Sequence, residues 1–288
     1  MKNTWLDRNE YPFESNYFDI EGQKMHYIDE GKGETILFVH GTPSWSFDFR
    51  HIIIALRSKY RCIAIDHIGF GLSDKPAQFD YETASHSRRL ATFIDHIQLK
   101  DITLVVHDFG GPIGLNVACK SPNLFKRLVI MNSWLWNSQN DPDYIKMKSV
   151  LKSPLLSFLY HYFNFSAKYL LPGSFGDKKL SNQILKQYTG PLSSREERSG
   201  TVAFARSLLN DQEWFESIWE KADAIAGKPT LLIWGMKDKF VKPSYLLKFQ
   251  SRFLNSTTIE LATCGHFPQE EEPKLVAQAI LAHLQDAQ

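Results

Sequence analysis

Cysteine is scarce in this chain: Cys62, Cys119 and Cys264 are its three. The count is odd and the spacing is wide, so neither a disulfide framework nor a metal-ligand cluster is written here. Cys62 and Cys119 lie among apolar neighbours and read as buried free thiols, as in a reducing cytosol; Cys264 reads as part of a loop. An excess of charge is missing too. Lys plus Arg number 33 against 32 Asp plus Glu, which gives no overall electrostatic pull toward nucleic acid or an anionic membrane. No apolar run reaches the length of a membrane span. The N-terminal MKNTWLDRNEYPF carries Asp7 and Glu10 where a signal peptide needs continuous apolar residues. Internal repeats and low-complexity tracts are absent as well. The expectation is a soluble, cytoplasmic protein with no metal and no cofactor.

What is present is enough apolar sequence, 43% of 288 residues, for one large α/β domain with an insertion. Residues 17–20 and 24–28 flank Glu21-Gly22 and read as an antiparallel hairpin. Short apolar runs at 35–39, 61–65, 102–106, 127–131, 230–234 and 257–261 read as buried strands. Segments 46–56, 83–97, 111–120, 243–250 and 273–284 carry helical periodicity between them. This alternation predicts an α/β fold, a mostly parallel eight-stranded sheet covered on both faces. The rhythm breaks over residues 133–226, where 144–152, 155–163 and 180–188 are helix-like and Tyr160, Tyr162, Phe163, Phe165 and Tyr169 make the stretch unusually aromatic. Residues 1–132 and 227–288 therefore read as the core, and 133–226 as an inserted helical cap.

The most informative segment is ITLVVHDFGGPIG, residues 102–114. It runs from an apolar strand through a sharp turn at His107-Asp108-Phe109 into a helix opened by Gly110-Gly111. That is the context of a nucleophile elbow, with Asp108 where such a turn usually carries serine. A serine alkoxide attacking saturated carbon gives an ether with no carbonyl for water to attack. A carboxylate gives an alkyl ester, which activated water cleaves. Asp108 as nucleophile therefore suits displacement at sp3 carbon.

Two further residues complete a constellation. Asp238 follows the 230–234 strand, on the sheet edge where ligands gather. His266 sits in the loop Cys264-Gly265-His266-Phe267 after the last strand. The order nucleophile, acid, histidine is that of an α/β-hydrolase triad, with His266 as general base and Asp238 fixing its tautomer. The backbone N–H groups of Thr42, after His40-Gly41, and of Phe109 are the expected oxyanion hole. Arg50 reads as a structural ion-pair residue, and His40 and His107 as loop-orienting groups.

HGTPSWSFDFR (residues 40–50), DHIGFGLSDKP (66–76), ITLVVHDFGG, WGMKDKF (234–240) and GHFPQEE (265–271) together resemble the haloalkane dehalogenases. The resemblance covers the core in order and thins across the cap. It implies a hydrolase fold, Asp108 as nucleophile, His266 as base and Asp238 as acid, with a small hydrophobic substrate and water as the partners. Some relatives carry the acid after the sixth strand; here Met131-Asn132-Ser133 offers no carboxylate. Members of that family typically hold the departing halide with an indole directly after the nucleophile and an Asn after the HG pair. This chain has Phe109 and Thr42 instead. Trp134 and Trp136 are the candidate replacement donors, with Trp45, Trp214 and Trp219 behind them. Epoxide hydrolysis, aided by tyrosines such as Tyr144, Tyr160, Tyr162, Tyr169 or Tyr188, remains an alternative. So do cleavage of a β-lactone and, outside catalysis, a ligand sensor on a hydrolase fold.

Overall fold

The computed structural model describes residues 4–286. Its eight strands are β1 (Asn16–Ile20), β2 (Gln23–Glu30), β3 (Thr35–Val39), β4 (Arg61–Ile65), β5 (Ile102–His107), β6 (Phe125–Met131), β7 (Thr230–Gly235) and β8 (Ser256–Leu261). They form one sheet in the order β1-β2-β4-β3-β5-β6-β7-β8. β1 and β2 make a hairpin through Glu21 and Gly22, both at positive φ, and β2 runs antiparallel to β4. Every other pairing is parallel. The mostly parallel sheet thus stands as the sequence implies, with antiparallel pairing confined to the two pairs that β2 makes, with β1 and β4.

Alternation of side chains across the pleat builds two cores. Leu37, Val39, Leu104 and Val106 face one way, against helices Thr83–His96, Gly110–Lys120 and Pro243–Arg252. Ile36, Phe38 and Val105 face the other way, against Arg50–Leu56 and Pro273–Asp286. Burial on both faces is why β3 and β5 read as continuous apolar runs.

Between β6 and β7 the described residues form helices and no strand. Pro142–Lys152, Pro154–Phe163 and Asn182–Thr189 correspond to the three helix-like segments of the sequence. Two of these begin on serine caps: Ser153 accepts from the Leu155 N–H and Ser181 from the Ile184 N–H. Ser199–Asn210 and Gln212–Lys221 add two helices that the sequence reading did not single out. The first opens Ser-Gly-Thr, poor helix formers, and is held by burial of Val202 and Phe204. Ser166–Leu170 is a π-helical turn, an irregularity common at functional sites. Among the described residues no helix is long and apolar enough to cross a membrane.

Candidate active site

β5 delivers Asp108 to the sheet edge, and the turn there is strained: Asp108 has φ +52°, a region that costs a non-glycine residue free energy. The surroundings hold it. Its N–H donates to the Asn132 carbonyl at 3.2 Å, and its own carbonyl accepts from Ser133 Oγ at 2.7 Å. A Cβ at Gly110 would collide with the Val39 carbonyl, and one at Gly41 with the Asp108 carboxylate. Glycine at both positions lets the ends of β3 and β5 meet at one side chain.

The two carboxylate oxygens of Asp108 see different partners. Oδ1 accepts the Thr42 backbone N–H at 2.8 Å, and the Phe109 backbone N–H also hydrogen-bonds the group. Oδ2 lies 3.3 Å from His266 Nε2. On the far side of the imidazole, Nδ1 is 2.6 Å from Asp238 Oδ2. Asp238 is itself tied down: Oδ1 accepts the Phe240 and Val241 N–H groups at 2.8 and 3.1 Å, and Oδ2 accepts from Asn132 Nδ2 at 2.8 Å. The three residues that the sequence singled out are thus brought into one hydrogen-bonded line, Asp238–His266–Asp108.

The loop carrying His266 is pinned by His107, read from the sequence as a loop-orienting group, and by Ser174 and Glu271, which the sequence reading did not assign. His107 Nε2 donates to the His266 carbonyl at 2.6 Å, and the His266 N–H donates to the Ser174 carbonyl at 2.9 Å. Glu271 accepts the Gly265 and Gly176 N–H groups at 2.7 and 2.8 Å. His40 steadies the Gly41-Thr42 loop, donating from Nδ1 to the Gly41 carbonyl at 2.7 Å and accepting the His67 N–H at 3.0 Å. Arg50 forms a buried bidentate pair with Glu270, in keeping with a structural role.

Electrostatics favour an ion pair in the resting site. Burial works to raise the Asp108 carboxyl, but His266 and the Phe109 N–H outweigh it, and the group titrates below its ordinary range. Burial likewise works against a charged His266. The negative charge of Asp238 and hydrogen bonds to both carboxylates overcome that and lift the imidazole to about 10. A carboxylate in this state is a ready nucleophile, and the imidazole becomes a base only when the Asp108 charge is removed.

Asp108, Thr42 and His266 open into a cavity of about 420 Å³. Its wall is largely apolar and includes Met147, Leu151, Leu156, Phe165 and Leu170 from the segment between β6 and β7. Trp134 lines it and meets the Phe109 ring edge-on, with centroids 4.9 Å apart. Trp136 does not line it, which corrects the pairing of these two indoles as candidate donors. Trp136 packs against Trp219, Tyr245 and Phe249, because its place in the outgoing chain turns it toward helix Pro243–Arg252. Trp45 is also spent, its Nε1 donating to the Gln187 carbonyl. Of the tyrosines, Tyr144 and Tyr160 face the cavity, Tyr162 and Tyr169 are exposed, and Tyr188 is buried against Glu270. Three cavity-lining residues carry buried hydroxyls with no hydrogen-bond partner: Thr42 Oγ1, Tyr144 Oη and Ser166 Oγ. Sequence pattern offered no signal for Ser166.

Comparison with known proteins places this geometry. Residues 34–273 match the alpha/beta hydrolase fold family. The chain is 35% identical over 276 residues to haloalkane dehalogenase 2 of Mycobacterium tuberculosis, covering 94% of this chain and 95% of the relative. The chain belongs to the haloalkane dehalogenase family. A solved structure of haloalkane dehalogenase DatA from Agrobacterium tumefaciens superposes with a TM-score of 0.86 at 26% identity, covering 96% of this chain and 97% of that one. Within the same range lies another relative, a cis-3-alkyl-4-alkyloxetan-2-one decarboxylase of Shewanella oneidensis, 32% identical over 90% of this chain and 85% of that protein. Haloalkane dehalogenase relatives and a strained-lactone relative therefore stand close together around this chain.

Proposed function

We propose that the protein is a haloalkane dehalogenase whose catalytic groups are Asp108, His266 and Asp238. Asp108 Oδ2 attacks the halogen-bearing carbon from the side opposite the halide, the carbon–halogen bond breaks, and an alkyl ester of Asp108 forms. Esterification removes the Asp108 charge and with it much of what held His266 protonated. The imidazole sheds its proton to solvent, as the acid released with the halide, and then takes one from water as that water attacks the ester carbonyl carbon. Negative charge collects on Oδ1, already held by the Thr42 and Phe109 N–H groups. On collapse the alkoxide takes the proton of the His266 imidazolium, which Asp238 stabilises, and leaves as the alcohol; the carboxylic acid left at Asp108 returns its proton to His266 and restores the ion pair. The substrate is a small hydrophobic haloalkane, and water is the second reactant.

The observation that carries this reading is the division of labour at Asp108. One oxygen sits in a pair of backbone donors, and the other is 3.3 Å from the base. Serine at the elbow would not provide it. The leaving halide is assigned to Trp134 together with the unpartnered hydroxyls of Thr42 and Tyr144, since the Phe109 side chain has no N–H to give. Residues 133–226 act as the cap that fits substrate size, over a core of 1–132 and 227–288. A cytoplasmic location is part of the same reading, supported by three free cysteines.

A second reading, attack on a strained ring ether or β-lactone, is favoured by the Tyr144 hydroxyl and by the oxetan-2-one relative. Halide release from bromo- and iodoalkanes, run beside styrene oxide and a dialkyl β-lactone, separates the two. An alkyl adduct from bromides on the peptide holding Asp108 supports dehalogenation; an adduct from the ring substrates alone replaces it.

A further inference from the structure

Helix Pro154–Phe163, PLLSFLYHYF, contains no acidic, lysine or arginine residue. Its inward side chains Leu156 and Tyr160 wall the active-site cavity. Its outward side chains are apolar as well: Leu155, Phe158 and Tyr162, spaced i, i+3, i+7 along one stripe, are 61, 47 and 51% exposed, and Phe163 beside them is 51% exposed. A helix apolar all round belongs in a protein core or in lipid, yet this one stands at the surface. Seven of the fourteen large apolar side chains exposed among the described residues fall within residues 145–169. Isolated exposed apolar residues are ordinary; a contiguous aromatic stripe is not.

The charge around the stripe has one dominant sign. From Tyr144 to Gly176 the sequence has four lysines and no acidic residue. Two arginines from neighbouring elements reach the helix: the Arg195 guanidinium lies 4.6 Å from the Tyr162 ring centroid, and Arg206 Nη2 donates to Ser157 Oγ at 3.2 Å. Glu196 and Glu197 follow Arg195 in the chain, and Glu197 is taken up by Ser193 and Ser194. Between Asp143 and Asp177 the segment carrying the stripe thus has basic residues as its only charged ones.

We propose that the outer face of helix Pro154–Phe163 docks on an anionic lipid surface, with Leu155, Phe158 and Tyr162 entering the headgroup boundary and Arg195 and Arg206 meeting lipid phosphates. Apolar side chains paired with basic ones are the chemistry of an interfacial helix, and the cytoplasmic leaflet supplies the negative charge. Because the same helix walls the cavity, docking puts the cavity beside the phase in which an apolar substrate concentrates. The lipid contact stands independently of the proposed chemistry.

Flotation of the full chain with vesicles tests it, using 30% phosphatidylglycerol in phosphatidylcholine against phosphatidylcholine alone. Binding to the anionic vesicles, weakened by salt, is expected. Phe158→Ser combined with Tyr162→Ser should lower the partition coefficient about tenfold or more, and Arg195→Gln with Arg206→Gln should remove the preference for anionic lipid. All four positions are at or near the surface, so melting temperature and circular dichroism check that the fold is kept. As a second readout, a polarity-sensitive dye on Leu155→Cys should shift to the blue with anionic vesicles. No binding to either vesicle, equal binding to both, or a dimer in solution that Phe158→Ser and Tyr162→Ser dissociate would each overturn the proposal, the last by assigning the stripe to a second copy of the chain.

Discussion

Asn132 Nδ2 and His266 Nδ1 converge on a single oxygen, Asp238 Oδ2, at 2.8 and 2.6 Å. Asn132 directly follows β6, and its own Oδ1 accepts the Gly235 N–H at 2.8 Å, so it clamps the end of β7 against the end of β6. A carboxamide there supports the acid rather than replacing it. Asn132→Leu leaves a buried carboxylate one donor short and the Gly235 N–H unpaired, each costing on the order of 1–3 kcal/mol. The expected outcome is a lower melting temperature and a kcat reduced about tenfold with KM little changed, read from steady-state kinetics and thermal denaturation.

His266→Phe should separate the two chemical steps. Alkylation needs only the ionised Asp108, whereas ester hydrolysis needs the base. A general base typically contributes about 10²–10⁴-fold, so turnover should fall by that order while a stoichiometric burst of bromide persists. Intact-protein mass spectrometry should find one alkyl group per chain, on the peptide containing Asp108.

The pH dependence of stability follows from the same imidazole. The folded-state value of His266 is raised to about 10, against about 6.5 for an unperturbed histidine. A raised value means that the folded protein holds the proton more tightly than the unfolded chain. This contribution is therefore fully present below about pH 6.5 and is lost as pH rises through about 10. Melting curves of the wild type and of His266→Gln between pH 6 and 10.5 should show the wild type losing its advantage across that window. A gap independent of pH would mean that Asp238 and Asp108 do not hold the imidazole protonated in the folded state.

Leaving-group stabilisation should respond to the indole. Trp134→Phe keeps the edge-on packing against Phe109 but removes the N–H, so chloroalkane turnover should fall about tenfold and iodoalkane turnover less, since a donor matters most to the poorest leaving group. Phe109→Trp, which offers an indole next to the nucleophile, should raise chloride turnover. Halide release assays on matched chloro-, bromo- and iodoalkanes read both effects.

Much of the geometry of this candidate site was legible because the ends of buried parallel strands have a sequence pattern. Asp108, Asp238 and His266 each follow a buried apolar run, and parallel pairing brings such ends to one edge. The strands were readable for the same reason: TILFV at β3 and RCIAI at β4 have nowhere to go but a core. Helices Ser199–Asn210 and Gln212–Lys221 were harder, since tertiary burial of Phe204, Phe215 and Ile218 rather than local propensity holds them. The indoles were misjudged in part because Trp134 and Trp136 are two residues apart on an irregular segment, where no period says which one turns inward. Asn132, Glu271 and Ser166 went unassigned because hydrogen bonds between distant loops leave no spacing to read.

The central claim is that an Asp108 oxygen bonds covalently to substrate carbon. A single turnover with enzyme in excess, run in water enriched in oxygen-18 and analysed by mass spectrometry of both protein and product, tests it most directly. The expected result is heavy oxygen in the Asp108 peptide and an alcohol carrying ordinary oxygen. A labelled alcohol with an unlabelled Asp108 would mean that water attacks the substrate directly, and would contradict the account.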